Sequence, residues 1–465
     1  MSYIQNYLVP LAQSNFIQRE FYDALVPQLK YLALAPDELL APGNGYTVTR
    51  TVAGTMSADP KKVTPGGDIS PSTNSYEHYV TAIDQWGDGI DVPTNQAAVT
   101  IEGVRGYFVQ KLGELAVQCG THLNLLARNA LFRAYLAGNS VAYAANGNTT
   151  TLYLNSLNGF WDVVKNGVPG VISVANPRAI TVNGVARSAT GFSPIDADYP
   201  DGPGTLTVSA AINCPAGAVI LAVDRSRILR PNKSTFDGLQ ANDSGTLRLF
   251  RRAATELEND SVGPMADGKY HVHLAPYVQE EIASDNEYVR LFEGNPSGYI
   301  PDGSIGTIGN LRIFSNNQSP QPGSKNSPNP LDVPTRATLL AKGYYGELYN
   351  ASGVQVQRSI VLGRGAISTL YMDETAMMLA EAGQPAGPKA SFAMVGNQLQ
   401  AMAGSGSMGN VRLTVRPPID RAGQQVSLAW TTTRGYPVPV NLLSGNSNGR
   451  YKRALVVETG FEALG

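Results

Sequence analysis

The sequence predicts an α+β chain built on one very long helix, with an extended two-stranded loop before it and a small all-β insert after it. Three observations carry that expectation. Residues 96–137 keep a helical apolar pattern without a proline, residues 43–95 read as an isolated strand, turn and strand, and residues 168–227 break into short β runs. The 465 residues leave room for about three domains, and 43% hydrophobic content is enough for real cores.

Residues 1–42 read as an arm carrying a short helix around 16–29, where Phe21, Leu25 and Leu29 share a face. The chain then changes period. Residues 46–53 and 76–83 alternate as strands do, and a Pro- and Gly-rich tip at 60–71 separates them. A hairpin alone is marginal in water, so such an excursion needs another surface, and a neighbouring subunit is the economical one.

The long helix follows. Pro93 and Pro169 bracket it, and Val104, Phe108, Leu112, Leu115, Cys119, Leu123, Leu126 and Ala130 step by three or four along one face, with Gly138 as the C-cap. At 1.5 Å per residue its length is roughly 60 Å, about the diameter of a sphere made from this whole chain. That implies a flat or elongated subunit. Gly106, Gly113 and Gly120 recur every seven residues on nearly one stripe, each costing roughly 0.5–1 kcal/mol against alanine. A close backbone approach along that stripe would offset the cost. Arg105, Lys111, Glu114, His122, Arg128 and Arg133 exclude a membrane span.

Beyond it, runs at 171–174, 180–182, 205–210 and 218–223 suggest a small inserted sandwich or barrel bounded near Val168 and Arg227. An amphipathic helix comes next, with Ser244 as N-cap and Leu247, Phe250, Ala254 and Leu257 on one face. Residues 270–274 form a strand, Pro276 opens a helix through Ile282, and 311–314 form another strand. Residues 315–334 are a Pro-, Ser- and Asn-rich surface loop, and 411–415, 425–430 and 454–458 are again β.

Composition narrows the function classes. With 35 basic against 37 acidic residues, a dedicated sequence-specific nucleic-acid binder with a basic face is disfavoured, while modest non-specific contact stays open. Cys119 and Cys214 read as reduced and buried rather than as a disulfide framework. The first 16 residues lack a basic leader and a continuous apolar core, so no secretory signal is expected and folding in a cytoplasm is.

The order of these elements and several local strings resembles the major capsid proteins of tailed bacteriophages, which share the Hong Kong 97 phage capsid fold. The strings are 103–119 of the long helix, 247–274 with Asp267-Gly268-Lys269-Tyr270, 285–292 leading into Gly303-Ser304-Ile305-Gly306 and the strand at Leu311, and 423–430. The likeness spans about two thirds of the chain, without the β insert and residues 315–357. It implies an N-terminal arm at 1–42, an extended loop at 43–95, and a peripheral domain at 96–167, with its spine helix, plus 404–465. It further implies an accessory β domain at 168–227 and an axial domain at 228–403.

The function so implied is self-assembly into the icosahedral head shell of a tailed bacteriophage enclosing double-stranded DNA. The chain's partner would be itself, in hexamers and pentamers, with portal, scaffolding or decoration proteins besides and non-specific DNA contact. Its place would be the virion capsid, assembled in the bacterial host cytoplasm, with no membrane. No scaffolding or protease-removed segment is legible before the arm. An encapsulin-like nanocompartment shell is the alternative, and a metal-dependent hydrolase using His271 and His273 the distant one.

No catalytic, cofactor-binding or metal residue is expected, and no cofactor. Residues 263–269 match most of a phosphate-binding loop, but Tyr270 stands where Ser or Thr should bind magnesium, and the helix precedes it. Residues 404–409 spell a dinucleotide pattern without its strand and helix, and read as a linker. His271 and His273 share a strand face, yet no carboxylate or cysteine completes a site by spacing. Lys61 and Lys62 read as a solvated turn, and Arg251 and Arg252 as exposed helix charges.

Overall fold

The structure, a computed structural model, describes residues 16–32, 35–40, 47–53, 76–93, 103–165, 168–195, 200–215, 217–223, 225–233, 238–288, 304–318, 354–372, 392–395, 398–402, 411–416, 425–439 and 453–461, with a few isolated residues besides. The expected arm before residue 16, Lys61, the helical stretch 96–102, most of the loop 315–334 and the linker 404–409 lie outside them.

Its elements run α1 (Phe16–Leu25), β1 (Asp37–Leu40), β2 (Thr47–Ala53), β3 (Tyr76–Ala82), β4 (Asp84–Pro93), α2 (Gly103–Tyr135), β5 (Asn139–Ala144), β6 (Thr149–Leu154), β7 (Asp162–Lys165), β8 (Val168–Val171), β9 (Arg178–Val182), β10 (Val185–Pro194), β11 (Gly204–Ile212) and β12 (Val219–Ala222). They continue with β13 (Ile228–Leu229), α3 (Leu247–Asn259), β14 (Tyr270–Leu274), α4 (Pro276–Ala283), β15 (Ser304–Ile308), β16 (Leu311–Ser315), β17 (Gln355–Leu362), β18 (Thr369–Met372), β19 (Phe392–Val395), β20 (Gln398–Met402), β21 (Arg412–Arg416), β22 (Gln425–Gly435) and β23 (Ala454–Phe461). The chain is α+β, with a long helix, a separate hairpin and an inserted all-β barrel.

Two compact units share the chain, one made of residues 1–49, 80–127 and 367–437, the other of 50–79, 128–366 and 438–465. The first holds a seven-stranded sheet in the order β1-β18-β22-β21-β20-β19, with β4 on the other side of β22. Register between β4 and β22 is unbroken from Asp84↔Arg434 to Pro93↔Gln425. β4 falls inside the stretch 43–95 expected to be one loop, and this sheet pairing corrects that reading: of the described strands in that stretch, β2 and β3 form a sheet of their own and β4 does not join it.

Leu112, Leu115, Ala116, Cys119, Leu123 and Ala127 form the buried face of α2 in this unit, each large aliphatic among them gaining about 1.5–3 kcal/mol from burial. His122 lies between Trp86 of β4 and Trp430 of β22, 5.6 Å from each ring. Leu126 and Ala130, expected on the buried face, are half-buried; Ala127 and Leu131 are inside instead. A straight 3.6-residue period drifts away from a seven-residue reading. The stripe of small residues is likewise only partly explained by close approach. A Cβ on Gly120 would meet the Leu25 carbonyl oxygen and Gln28 Cβ at 2.8 Å, whereas at Gly113 nothing lies within 4 Å.

In the second unit β10-β11-β6-β5-β12-β9 close a barrel. Leu152, Leu154, Ile180, Val182, Leu206, Val208 and Ile220 fill it, the inward members of alternating strands such as β11, where Thr205 and Thr207 point away. The barrel begins at Asn139, well before residue 168, and β7 and β8 form a separate ribbon. Val174, expected in a strand, is 83% exposed in a turn. β10 was not expected at all; it follows β9 through Asn183 and Gly184, both left-handed with φ of 47° and 84°.

The same unit contains a mixed sheet ordered β13-β23-β17-β14-β16-β15. Leu247, Phe250, Ala254 and Leu257 of α3 pack into a core with Val272, Val361 and Val457. The N-cap of α3 is Thr246, not Ser244, and its side chain caps nothing. Carboxylates from beyond do that work: Asp285 Oδ2 accepts from the Leu247 N–H at 2.9 Å and Glu281 Oε2 from the Gly245 N–H at 2.6 Å. Sheet membership does not divide at 167/168 or 403/404: β18–β20 join β21 and β22, while β23 joins β17.

Candidate functional site

Four features could carry chemistry or contact, and each can be built from its residues. The first is the histidine pair on β14. Alternation puts His271 and His273 on one face of the strand, both buried, and both rings lie against Phe314 of β16, with centroids 5.1 and 5.3 Å away. A carboxylate does stand beside them, which spacing along a strand could not reveal. Asp267, in the turn before β14, has Oδ2 2.8 Å from His271 Nε2 and 3.4 Å from Arg312 Nη1. Burial lowers the His271 pKa, Asp267 raises it part of the way back, and the result stays below the ordinary histidine value. Burial pushes Asp267 up, but hydrogen bonds from His271, the Lys269 N–H and Arg312 outweigh it and hold the carboxyl below its ordinary range. The geometry is that of a neutral imidazole anchored to a turn carboxylate. Among the described residues, no three His, Cys, Asp or Glu side chains are grouped to hold a metal.

The second is the turn at 263–269. Three of its amides are committed within the turn: Met265 N–H donates to the Lys269 carbonyl, Gly268 N–H to the Met265 carbonyl, and Lys269 N–H to Asp267 Oδ1. Lys269 Nζ donates to the Gly309 carbonyl at 3.0 Å. Gly268, at φ +76°, serves the reversal into β14.

The third is the basic face of α3. Arg251 is ion-paired with Glu287, Arg252 lies 3.9 Å from Glu256, and Arg227 Nη2 lies 2.9 Å from Glu256 and 3.5 Å from Asp260. These exposed pairs contribute little stability, but they balance the local charge. Arg251 and Arg252 thus form no free basic patch.

The fourth is the β2–β3 hairpin. Among the described strands it pairs only with itself, and Thr47, Thr49 and Thr51 on β2 are exposed. Val48 at its base packs on the small cluster of Leu40, Ile83 and Leu370. Lys62, in the tip, is exposed. The two cysteines are buried and free, and burial pushes the Cys119 thiol up to about 12, so it is inert as a nucleophile. No described helix is long and apolar enough to cross a membrane.

No protein-family model and no curated protein matches the sequence. Among solved structures, the chain is similar to one from the cyanophage Pam1 capsid asymmetric unit, at 12% identity and TM-score 0.47, over 92% of this chain and 89% of that one. It is similar to the capsid of Ralstonia phage GP4 at 13% identity and TM-score 0.45, covering 94% and 89%. A third similarity is to the head of Helicobacter pylori bacteriophage KHP40, at 8% identity and TM-score 0.43, covering 92% and 87%. Along some nine-tenths of its length, the chain is thus similar to capsid and head structures of phages.

Proposed function

We propose that this chain is the major capsid protein of a tailed bacteriophage, a structural, non-enzymatic subunit of the icosahedral head shell around double-stranded DNA. The observation that carries the reading is the β2–β3 hairpin, a sheet of two strands with no other strand beside it among the described residues. Two strands alone are marginal in water, so on this reading the hairpin's burial is completed by a second copy. The strings of sequence that resemble the capsid family support the same conclusion. In this reading the peripheral domain is α2 with the β1, β4 and β18–β22 sheet. The axial domain is β13–β17 and β23 with α3 and α4, and the barrel is an accessory domain.

Assembly would be cooperative, many modest contacts per subunit summing to a permanent interface of some 2,000–5,000 Å² or more. DNA contact would be non-specific and salt-sensitive. Portal, scaffolding and decoration proteins are the further partners of this reading.

Replacing residues 50–79 with a short Gly-Ser turn tests it. The cut spares Thr81 and the buried Ile83, so the subunit should stay folded and soluble while closed shells disappear from electron micrographs. Normal shells from that variant would remove the hairpin's assigned role.

A further inference from the structure

α4 rests on β17 and β23: Val278 and Ile282 join the core that includes Val361, Leu455 and Val457, and the Tyr277 ring lies 4.6 Å from that of Phe461. The antiparallel register pairs Val361 with Leu455, Ser359 with Val457 and Gln357 with Thr459, so these six residues share one face of the sheet. Its apolar half is ordinary core. The other half is polar: Gln357, Ser359 and Thr459 are 0, 1 and 1% exposed. Both amide atoms of Gln357, the Ser359 hydroxyl and the Thr459 hydroxyl are buried without a hydrogen-bond partner. Four such atoms at adjacent positions disfavour the closed arrangement, because water would satisfy each of them once α4 moved aside.

A second burden lies on the helix itself. Glu281 is tied to the Gly245 N–H at 2.6 Å, and a Cβ at Gly245 would stand 3.2 Å from the same carboxylate oxygen and 2.5 Å from Val278. Burial raises the Glu281 pKa to about 7, the Gly245 N–H acts against that, and Glu280 adds to it. The other charges around it are fixed. Asp285 accepts from Leu247 and Glu287 pairs with Arg251. Asp243, in the loop before α3, accepts from the Gln240 N–H. Arg248 is exposed on the first turn of α3, and Arg358 and Glu458 pair with each other on the sheet's opposite face. No described cation is paired with the Glu281 carboxylate.

We propose that α4 is a proton-controlled flap over a polar bed, closed while Glu281 is protonated and released when its ionisation adds a further negative charge beside Glu280. The sign follows from linkage. A carboxyl whose folded pKa lies above its ordinary value stabilises the closed form fully below the ordinary glutamate range, and that contribution is lost as pH rises through about 7.

Amide hydrogen exchange of the full chain between pH 5 and pH 8, corrected for intrinsic rates, is the test. The Gln279 and Ser284 amides, which donate to the Ala275 and Glu280 carbonyls, should lose protection by roughly ten- to a hundredfold over that range, while β14 amides should not. Glu281→Gln should flatten the dependence, and Gln357→Leu should raise α4 protection at every pH without changing its slope. Protection of α4 that is independent of pH, or equal at pH 8 to that of β14, would overturn the proposal. So would an undiminished pH slope in Glu281→Gln.

Discussion

Gly113 and Gly120 sit one heptad apart on α2, yet they should answer oppositely to a methyl group. Gly113→Ala meets open space and should stabilise the chain by about 0.5–1 kcal/mol, whereas Gly120→Ala drives a Cβ into the Leu25 carbonyl and should cost about 1–3 kcal/mol. Urea denaturation of the two variants reads the contrast. Glu458 gives a second residue-level expectation. It is 1% exposed between Arg230 and Arg358, at 2.8 and 2.9 Å. Burial pushes its carboxyl up, and the two guanidiniums more than reverse that, so the folded pKa lies below the ordinary glutamate value. Its contribution is therefore complete above the ordinary range and is lost as pH falls through the folded pKa. Glu458→Gln should cost about 3–5 kcal/mol by leaving two half-buried cations without their shared buried partner, and the loss in denaturant midpoint should shrink in acid. At this scale, alternation along a strand was enough to place His271 and His273 on one face. Asp267 could not be placed there from spacing, because a turn and not a strand period brings it to His271.

Elements differ in how openly their residues declare them. β14, α4 and the apolar face of α3 follow from period and from Pro276, and the structure has them within a residue or two of the expected bounds. β10 escaped because its residues are small and polar, although Asn183-Gly184 between two valines is a strong signal for a two-residue hairpin. Gly184→Val would force a β-branched residue to φ +84° and should weaken the barrel by about 1–2 kcal/mol, seen as faster exchange of β9 and β10 amides. The N-terminus of α3 departs from the sequence expectation for a related reason. A side chain near in sequence was the natural cap, but Asp285, 38 residues away, accepts from the first helical amide. Asp285→Ala should then cost about 1 kcal/mol, with Ser244→Ala near neutral, in thermal unfolding.

At the scale of the whole chain, the α+β class, the long helix, the hairpin and the inserted barrel were all legible, since each is set by a local period or by its interruption. Sheet membership was not. β4 joins β22 across more than 330 residues, and β23 leaves its sequence neighbours for β17. Such pairings are decided by which faces remain to be buried after the local elements form, a quantity that no window of sequence contains. The same logic bears on the proposed assembly: among the described strands β2 and β3 pair only with each other, and in that reading other copies complete them. Electron microscopy of the purified full-length chain, with light scattering on the same sample, measures this directly. Closed shells or five- and six-membered rings are the expected result, and a chain that stays monomeric while fully folded would contradict the account.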